Sequence, residues 1–93
     1  MRESKTRVLI VDDSALMRQH LSLIFMEEGG FDVCTARNGL EAIAQQRAFN
    51  PDVITLDINM PEMDGLTALA MLMAEKPTPV IMVSSLTRSE EHT

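Results

Sequence analysis

Acidic and hydroxyl residues follow apolar runs of the sequence at the points where those runs end. These residues are Asp12, Asp13, Asp57 and Ser84. Carboxylates that lie close together repel each other and become partly protonated unless a cation sits among them. A hard divalent ion with oxygen ligands, most simply Mg²⁺, would relieve that repulsion. Since Mg²⁺ keeps exchangeable waters and binds phosphoryl oxygens, the set favours phosphoryl transfer over metal storage.

A carboxylate beside such an ion can itself act as the nucleophile. Asp57 is best placed for this role because it ends what would be an interior strand, and the Ser84 hydroxyl could hydrogen-bond a phosphoryl oxygen carried on it. The competing interpretation is turn chemistry, since Asp is common after strands. A calcium loop starting at Asp57 is disfavoured because Pro61 and Glu62 stand where that loop needs an acid or amide and then a glycine.

Short apolar runs that resemble buried strands alternate with helical patterns along the whole chain. The predicted strands are residues 8–11, 32–36, 53–56 and 80–83, and the last has the clearest pattern of a buried strand. The predicted helical faces are Met17, Leu21, Ile24 and Phe25, then Leu40, Ile43 and Ala44, then Leu66, Leu69, Ala70 and Met73. Ser14 is a predicted helix N-cap, Gly29 and Gly30 end the first helix, and Asp64 with Gly65 opens the third.

This alternation predicts an α/β fold with a parallel sheet, helices on both faces and right-handed crossovers. In such sheets the functional site lies where the carboxyl ends of the strands meet. Residues far apart in sequence, such as Asp12 and Asp57, can therefore converge. The 93 residues suffice for one domain and not for two.

Composition excludes several classes of function. Eight basic and fourteen acidic side chains give a net charge of −6, which argues against nucleic-acid binding. Cys34 has no partner for an internal disulfide, and the polar residues 1–7 do not form a secretory signal, so we expect a cytoplasmic location. No apolar run approaches the roughly 20 residues of a membrane span, so no membrane association is expected.

Four motifs in order resemble one family, the response-regulator receiver domains of bacterial two-component signalling. They are VLIVDDSALMRQ, DVITLD, NMPEMDG and PVIMVSS. Within that family the sequence is most similar to the receiver of chemotaxis protein-glutamate methylesterase. The resemblance implies a flavodoxin-like, three-layer fold with sheet order 2-1-3-4 and a single receiver domain over residues 1–93.

The resemblance also implies a role for each site residue. Asp57 would accept a phosphoryl group from a histidine kinase and form an acyl phosphate. Asp12 and Asp13 would hold Mg²⁺ together with Asp57 and the main-chain carbonyl of Asn59. Ser84 would be the switch hydroxyl that turns toward the phosphoryl group. Phosphorylation would then gate an attached or partner effector, such as a methylesterase, and this chain alone would not be the enzyme.

Two features depart from the family pattern. Asn59 stands where methylesterase receivers often carry glutamate. The family also continues through a fourth helix, a fifth strand ending in an active-site lysine, and a fifth helix, and neither Lys5 nor Lys76 matches that lysine. On this basis we expect a receiver that is incomplete at its C-terminus after the fourth strand. The exposed fourth strand would then pair with a second copy of the chain.

Two other functions stay open on the residues alone. One is a Mg²⁺-dependent aspartyl phosphohydrolase, but that class usually places its nucleophile after the first strand with a second acid two residues on. Here Asp57 follows the third predicted strand, and Asn59 occupies the second position. The other is an interaction module that works without phosphorylation, which the lack of a matching lysine would favour.

Overall fold

The computed structural model describes residues 5–60 and 64–83 of the chain, and it confirms the alternation of strands and helices. In chain order the elements are β1 (Thr6–Val11), α1 (Ala15–Glu28), β2 (Phe31–Ala36), α2 (Gly39–Phe49), β3 (Val53–Asp57), α3 (Gly65–Glu75) and β4 (Val80–Val83).

The four strands form one parallel sheet in the order β2-β1-β3-β4. The interior strands are β1 and β3, and in β1 Leu9 pairs with Cys34 of β2 on one side and with Ile54 of β3 on the other. The predicted flavodoxin-like fold class and the order 2-1-3-4 are therefore confirmed. All four strands point their carboxyl ends to one edge, which we call the carboxyl edge.

Helices cover both faces of the sheet. One face carries the main apolar core, which α2 and α3 cover and to which α1 contributes no residue. Its buried members are Leu9, Val11, Ala36, Ala42, Ile54, Leu56, Met60, Ala68 and Leu72. Alternate residues of β1, Val8 and Ile10, point to the other face and are also fully buried. There α1 packs against β1 and β2. Strand β1 is thus removed from water on both sides.

Each helix begins with a side-chain cap just past the end of a strand. Ser14, Asn38 and Asp64 accept hydrogen bonds from the main-chain N–H groups of residues three positions later, at 3.1, 2.8 and 2.8 Å. These caps satisfy N–H groups that have no partner inside the helix. The predictions for Ser14 and Asp64 are confirmed. The short strand-to-helix connections fix the residues at the carboxyl edge.

The buried side chain of Gln46 fastens α2 to the end of α3. Its amide nitrogen donates to the carbonyl oxygens of Leu72 and Lys76, at 3.1 and 3.0 Å. The Leu72 carbonyl also accepts from the N–H of Lys76 at 3.0 Å, so Gln46 adds a second donor at the end of this helix. Gln46 therefore joins the two helices by capping α3 from the side, in a position where periodicity would suggest an apolar residue.

The predicted apolar faces of the second and third helices are correct only in part, since Ile43 and Leu69 pack against the core but their neighbours on the predicted faces do not. Leu40 and Leu66 are 68% and 69% exposed, whereas the buried positions include Ala42 and Ala68. Small residues occupy the contacts because the helices pack closely on each other and on the sheet. In α3 residues 68–74 are all apolar, so the sequence gives no contrast from which to choose a face.

The predictions for the first helix and the fourth strand are corrected in part. Met17, Leu21 and Phe25 are half-buried as expected, but Ile24 is 46% exposed because it lies off the line that faces the sheet. Strand β4 is half-buried, and its Ile81 is 56% exposed. Within the described residues β4 is an edge strand that pairs with β3 alone, so a neighbouring strand shields it from solvent on one side only. Its pairing with a second copy stays a prediction.

In the part of the chain that the structure describes, the three helices are too short or too polar to cross a bilayer.

Gly65 is required by a close approach of two main-chain segments. Its N–H donates to the carbonyl of Ile58 at 2.9 Å. A Cβ at this position would lie 2.7 Å from Cα of Ile58 and 3.0 Å from the carbonyl oxygen of Asp57. Both neighbours are backbone atoms that cannot rotate away. Gly65 thus lets α3 start directly beside the end of β3.

We predict that Gly65→Ala lowers the free energy of unfolding by about 1–3 kcal/mol, because the added methyl group overpacks this contact. Urea denaturation followed by circular dichroism measures the loss. Leu66→Ala, at a 69% exposed position of the same helix, is the matched control and should change stability by less than about 0.5 kcal/mol. Equal stability of the Gly65→Ala variant and the wild type would contradict the steric argument.

Candidate functional site

The structure brings three of the predicted site residues together at the carboxyl edge. Carboxylate oxygens of Asp12, Asp13 and Asp57, one from each residue, all lie within 4.8 Å of one another. Asp12 is 4% exposed and Asp57 is 2% exposed, while Asp13 is open to solvent. The convergence follows from the sheet, because β1 and β3 are parallel neighbours that end side by side. The functional roles of these residues stay predictions.

Hydrogen bonds hold Asp12 on several sides. Its N–H donates to the carbonyl of Ala36 at 3.0 Å, which continues the pairing of β1 with β2. Its Oδ1 accepts from the N–H of Ser14 at 2.9 Å, and its carbonyl accepts from Nη1 of Arg18 at 2.8 Å. The residue is therefore fixed by the sheet, by the turn and by the first helix together.

Asp57 is the last residue of β3 and is held by the sheet and by its own loop. It pairs with Val83 in the register of β3 and β4, and the next N–H, of Ile58, donates to the carbonyl of Val83 at 3.0 Å. Its Oδ1 accepts from the N–H of Asn59 at 3.1 Å. The Asp57 side chain is thus the most buried of the three acids. The loop that follows β3 orients one of its carboxylate oxygens.

The electrostatics of the site favour a bound cation. The pKa of the Asp57 carboxyl is raised from an ordinary 3.8 to about 6, chiefly by burial and against the lowering effect of the hydrogen bond from the Asn59 N–H. The negative charge of Asp12, and then the hydrogen bond and charge of Asp13, contribute to the same rise. Negative charge is therefore under-compensated among these carboxylates.

The donor set fits Mg²⁺. It consists of hard carboxylate oxygens from Asp12, Asp13 and Asp57, close enough together to share one ion. Asp13, the exposed member, leaves the group open to solvent, which suits an ion that retains several waters. The Asn59 carbonyl, the fourth predicted ligand, belongs to the residue whose N–H already contacts Asp57.

One predicted site residue falls outside the described residues. It is Ser84, the predicted switch hydroxyl. Met60, in the loop after β3, is 6% exposed and belongs to the apolar core, so the start of that loop is anchored inward.

The two lysines and the cysteine of the sequence lie away from the acidic group. Lys5 precedes β1, and its Nζ lies 4.0 Å from Oδ1 of Asp32. The ammonium of Lys76 contacts the side chain of Asn50. Both lysines therefore lie at the opposite, amino edge of the sheet, as their mismatch with the family pattern suggested. Cys34 is half-buried in β2, where burial raises the pKa of its thiol and Sγ donates to Oε1 of Gln45 at 3.1 Å.

Sequence reasoning missed Arg18. Its guanidinium donates to the Asp12 carbonyl, and it lies in the second turn of α1, six residues after that acid. The available signal was a basic residue one helical turn beyond a predicted N-cap and close to an acidic pair. Spacing alone does not say that a long side chain turns back toward the strand.

The sequence matches the response regulator receiver domain family over residues 8–93. A Rhodospirillum rubrum protein named protein-glutamate methylesterase/protein-glutamine glutaminase 3 is 68% identical over 84 residues, which are 90% of this chain and 23% of that protein. An Archaeoglobus fulgidus protein of the same name without a number is 58% identical over 82 residues, 88% of this chain and 24% of that protein. The chain thus spans about a quarter of these curated relatives.

Solved structures agree with the sequence matches. The response regulator domain of Thermotoga maritima CheB is 47% identical with a TM-score of 0.82, covering 92% of this chain and 65% of that one. The Borrelia burgdorferi CheX-CheY-BeF3-Mg²⁺ complex contains a chain that is 41% identical with a TM-score of 0.80, covering 92% of this chain and 66% of that one. With its family match, parallel sheet and acidic carboxyl edge, the chain belongs to the response regulator receiver domains.

Proposed function

We propose that this receiver domain is a phosphoacceptor in a two-component phosphorelay, with Asp57 as the residue that accepts the phosphoryl group from a histidine kinase. The observation that carries the proposal is the carboxylate of Asp57, buried at the end of an interior strand and within 4.8 Å of two further carboxylates. A carboxylate so placed is a nucleophile held in one orientation.

In the proposed reaction a carboxylate oxygen of Asp57 attacks the phosphorus of the donor. The bond from phosphorus to the donor's imidazole nitrogen breaks, the imidazole leaves, and an acyl phosphate forms on Asp57. Asp12, Asp13, Asp57 and the Asn59 carbonyl would hold Mg²⁺, which when bound supplies positive charge against the phosphoryl oxygens. The Ser84 hydroxyl would donate to a phosphoryl oxygen.

The protein's own groups prepare this step. The N–H of Asn59 holds Oδ1 of Asp57, and Oδ2 takes no part in that bond. The hydrogen bonds from Ser14 and Arg18 hold Asp12 without using its Oδ2. Because these contacts form before any phosphodonor arrives, little reorganisation is needed at the moment of transfer.

The downstream partner is proposed from the relatives. Proteins named protein-glutamate methylesterase/protein-glutamine glutaminase match this chain over about a quarter of their length. We therefore infer that the chain serves as the regulatory segment of a chemotaxis protein of that kind, in which phosphorylation of Asp57 controls a methylesterase. A structurally similar chain occurs in the Borrelia burgdorferi CheX-CheY-BeF3-Mg²⁺ complex, which supports the choice of metal.

We predict that Asp57→Ala abolishes labelling of the full-length protein by a small phosphodonor such as acetyl phosphate, because the variant lacks the accepting oxygen. Intact-protein mass spectrometry in the presence of Mg²⁺ detects the added phosphoryl mass. Asp32→Ala, which removes a half-exposed carboxylate of β2, is the control and should label like the wild type. Undiminished labelling of Asp57→Ala would refute the assignment.

A second prediction concerns Mg²⁺-free stability and pH. Since the pKa of Asp57 is raised to about 6 in the folded state, this residue's contribution to stability is fully present below about pH 4 and is lost as the pH rises through about 6. Wild type should therefore lose on the order of 2 kcal/mol relative to Asp57→Asn between pH 4 and pH 7. Urea denaturation of both proteins at the two pH values measures the difference.

Millimolar Mg²⁺ should restore the stability of the wild type at pH 7 by favouring the ionised carboxylates, and should do much less for Asp57→Asn. Other carboxylates titrate over the same range, so the comparison between the two proteins, and not either profile alone, isolates Asp57. If the free energy of unfolding changed with pH by the same amount in wild type and variant, ionisation of Asp57 would not destabilise the fold.

A further inference from the structure

The side chain of Arg18 makes an unusual contact for a helical arginine. Its Nη1 donates to the main-chain carbonyl of Asp12 at 2.8 Å, a residue six positions earlier and outside the helix. The bond reaches back over the first turn of α1 to the end of β1. Arg18 is half-buried, so the contact is shielded in part from competing water.

This bond completes the fixation of Asp12. The N–H bond to Ala36 aligns the residue with β2, and the bond from the Ser14 N–H orients Oδ1. The carbonyl is the remaining main-chain group, and rotation of its peptide plane would also move the N–H and Cα of Asp13. Arg18 is therefore placed to control the orientation of both acids of the turn.

Electrostatic repulsion acts on the turn that carries Asp12 and Asp13. The carboxylates of Asp12, Asp13 and Asp57 lie within 4.8 Å of one another, and like charges at that distance repel. The turn after β1 is the part that can yield, since Asp57 lies within β3 and is paired on its strand. A bond to the Asp12 carbonyl opposes such a displacement.

Arg18 is also linked to the start of α2. Its positive charge contributes to lowering the pKa of Glu41, after larger contributions from the N–H and side chain of Arg37. Glu41 accepts from the N–H and Nε of Arg37, both at 2.9 Å. The charge of Arg18 therefore also acts on Glu41, but its hydrogen bond is to the carbonyl of Asp12.

We propose that Arg18 is a positioning residue for the cation site: by holding the Asp12 carbonyl, it keeps the carboxylates of Asp12 and Asp13 in their binding arrangement before the ion arrives. The inference rests on the proposed Mg²⁺ site. It extends that site to a residue that contacts neither the ion nor the phosphoryl group.

Charge and positioning make opposite predictions for the loss of Arg18. A guanidinium near the site repels a divalent cation, so if Arg18 acted by charge alone, its removal would tighten Mg²⁺ binding. If it positions the acidic turn, its removal lets the carboxylates separate and weakens binding. The sign of the change in Mg²⁺ affinity therefore distinguishes the two roles.

The test is isothermal titration of Mg²⁺ into metal-free full-length protein, comparing wild type with Arg18→Met, Arg18→Lys and Arg37→Met. Arg18→Met keeps much of the aliphatic stem and a strong helix former but removes donor and charge. We expect Arg18→Met to weaken Mg²⁺ binding about tenfold, as is typical when a residue is lost that orients a metal ligand without contacting the metal. Arg18→Lys, which keeps a donor and the charge, should restore most of the affinity.

Arg37→Met is the matched control, because it removes an identical charge at the same edge from a residue bonded to Glu41. It should leave the affinity unchanged or slightly tighter. Binding by Arg18→Met that equals or exceeds that of the wild type, in a variant whose far-ultraviolet circular dichroism is native, would overturn the positioning role alone. Failure of the wild type to bind Mg²⁺ would instead overturn the proposed metal site.

Discussion

The constraint on which the structure depends is the forced proximity of three carboxylates at one edge of a buried sheet. Asp12 and Asp57 end neighbouring parallel strands, and both are almost completely removed from water. Desolvation and the nearby negative charges each raise the pKa of Asp57. Packing of the two strands that carry the acids offsets this unfavourable electrostatic energy. Leu9 and Ile10 of β1 and Ile54 of β3 are fully buried.

Main-chain groups offset part of the negative charge without any added cation. The N–H groups of Ser14 and Asn59 each donate to a carboxylate of the site. Helix α1 also starts at Ala15, two residues after Asp13, so the partial positive charge of its N-terminus lies beside the acidic turn. This compensation is incomplete, as the raised pKa of Asp57 shows, and the remaining deficit is what a divalent ion can fill.

The sheet and the acidic group were predictable from sequence because their signals are local and strong. Continuous β-branched runs that end in acids identify buried parallel strands, and parallel pairing then brings Asp12 and Asp57 together whatever lies between them. The buried faces of α2 and α3 were predictable only in part, because α3 is apolar nearly all round and close packing selects alanines, with the polar Gln46 at a helix end. The contact of Arg18 depends on the conformation of a long side chain, which spacing does not determine.

The parallel pairing of β1 with β3 also decides when the acidic group assembles during folding. Arg7 and Asp52, which bond at the start of that pairing, are 45 residues apart, so a long loop must close before β3 docks. The unit β1–α1–β2 needs shorter closures and contains Asp12 and Asp13 without Asp57. The repulsion between Asp57 and the other two carboxylates therefore opposes the docking of β3. It does not oppose formation of the β1–α1–β2 unit.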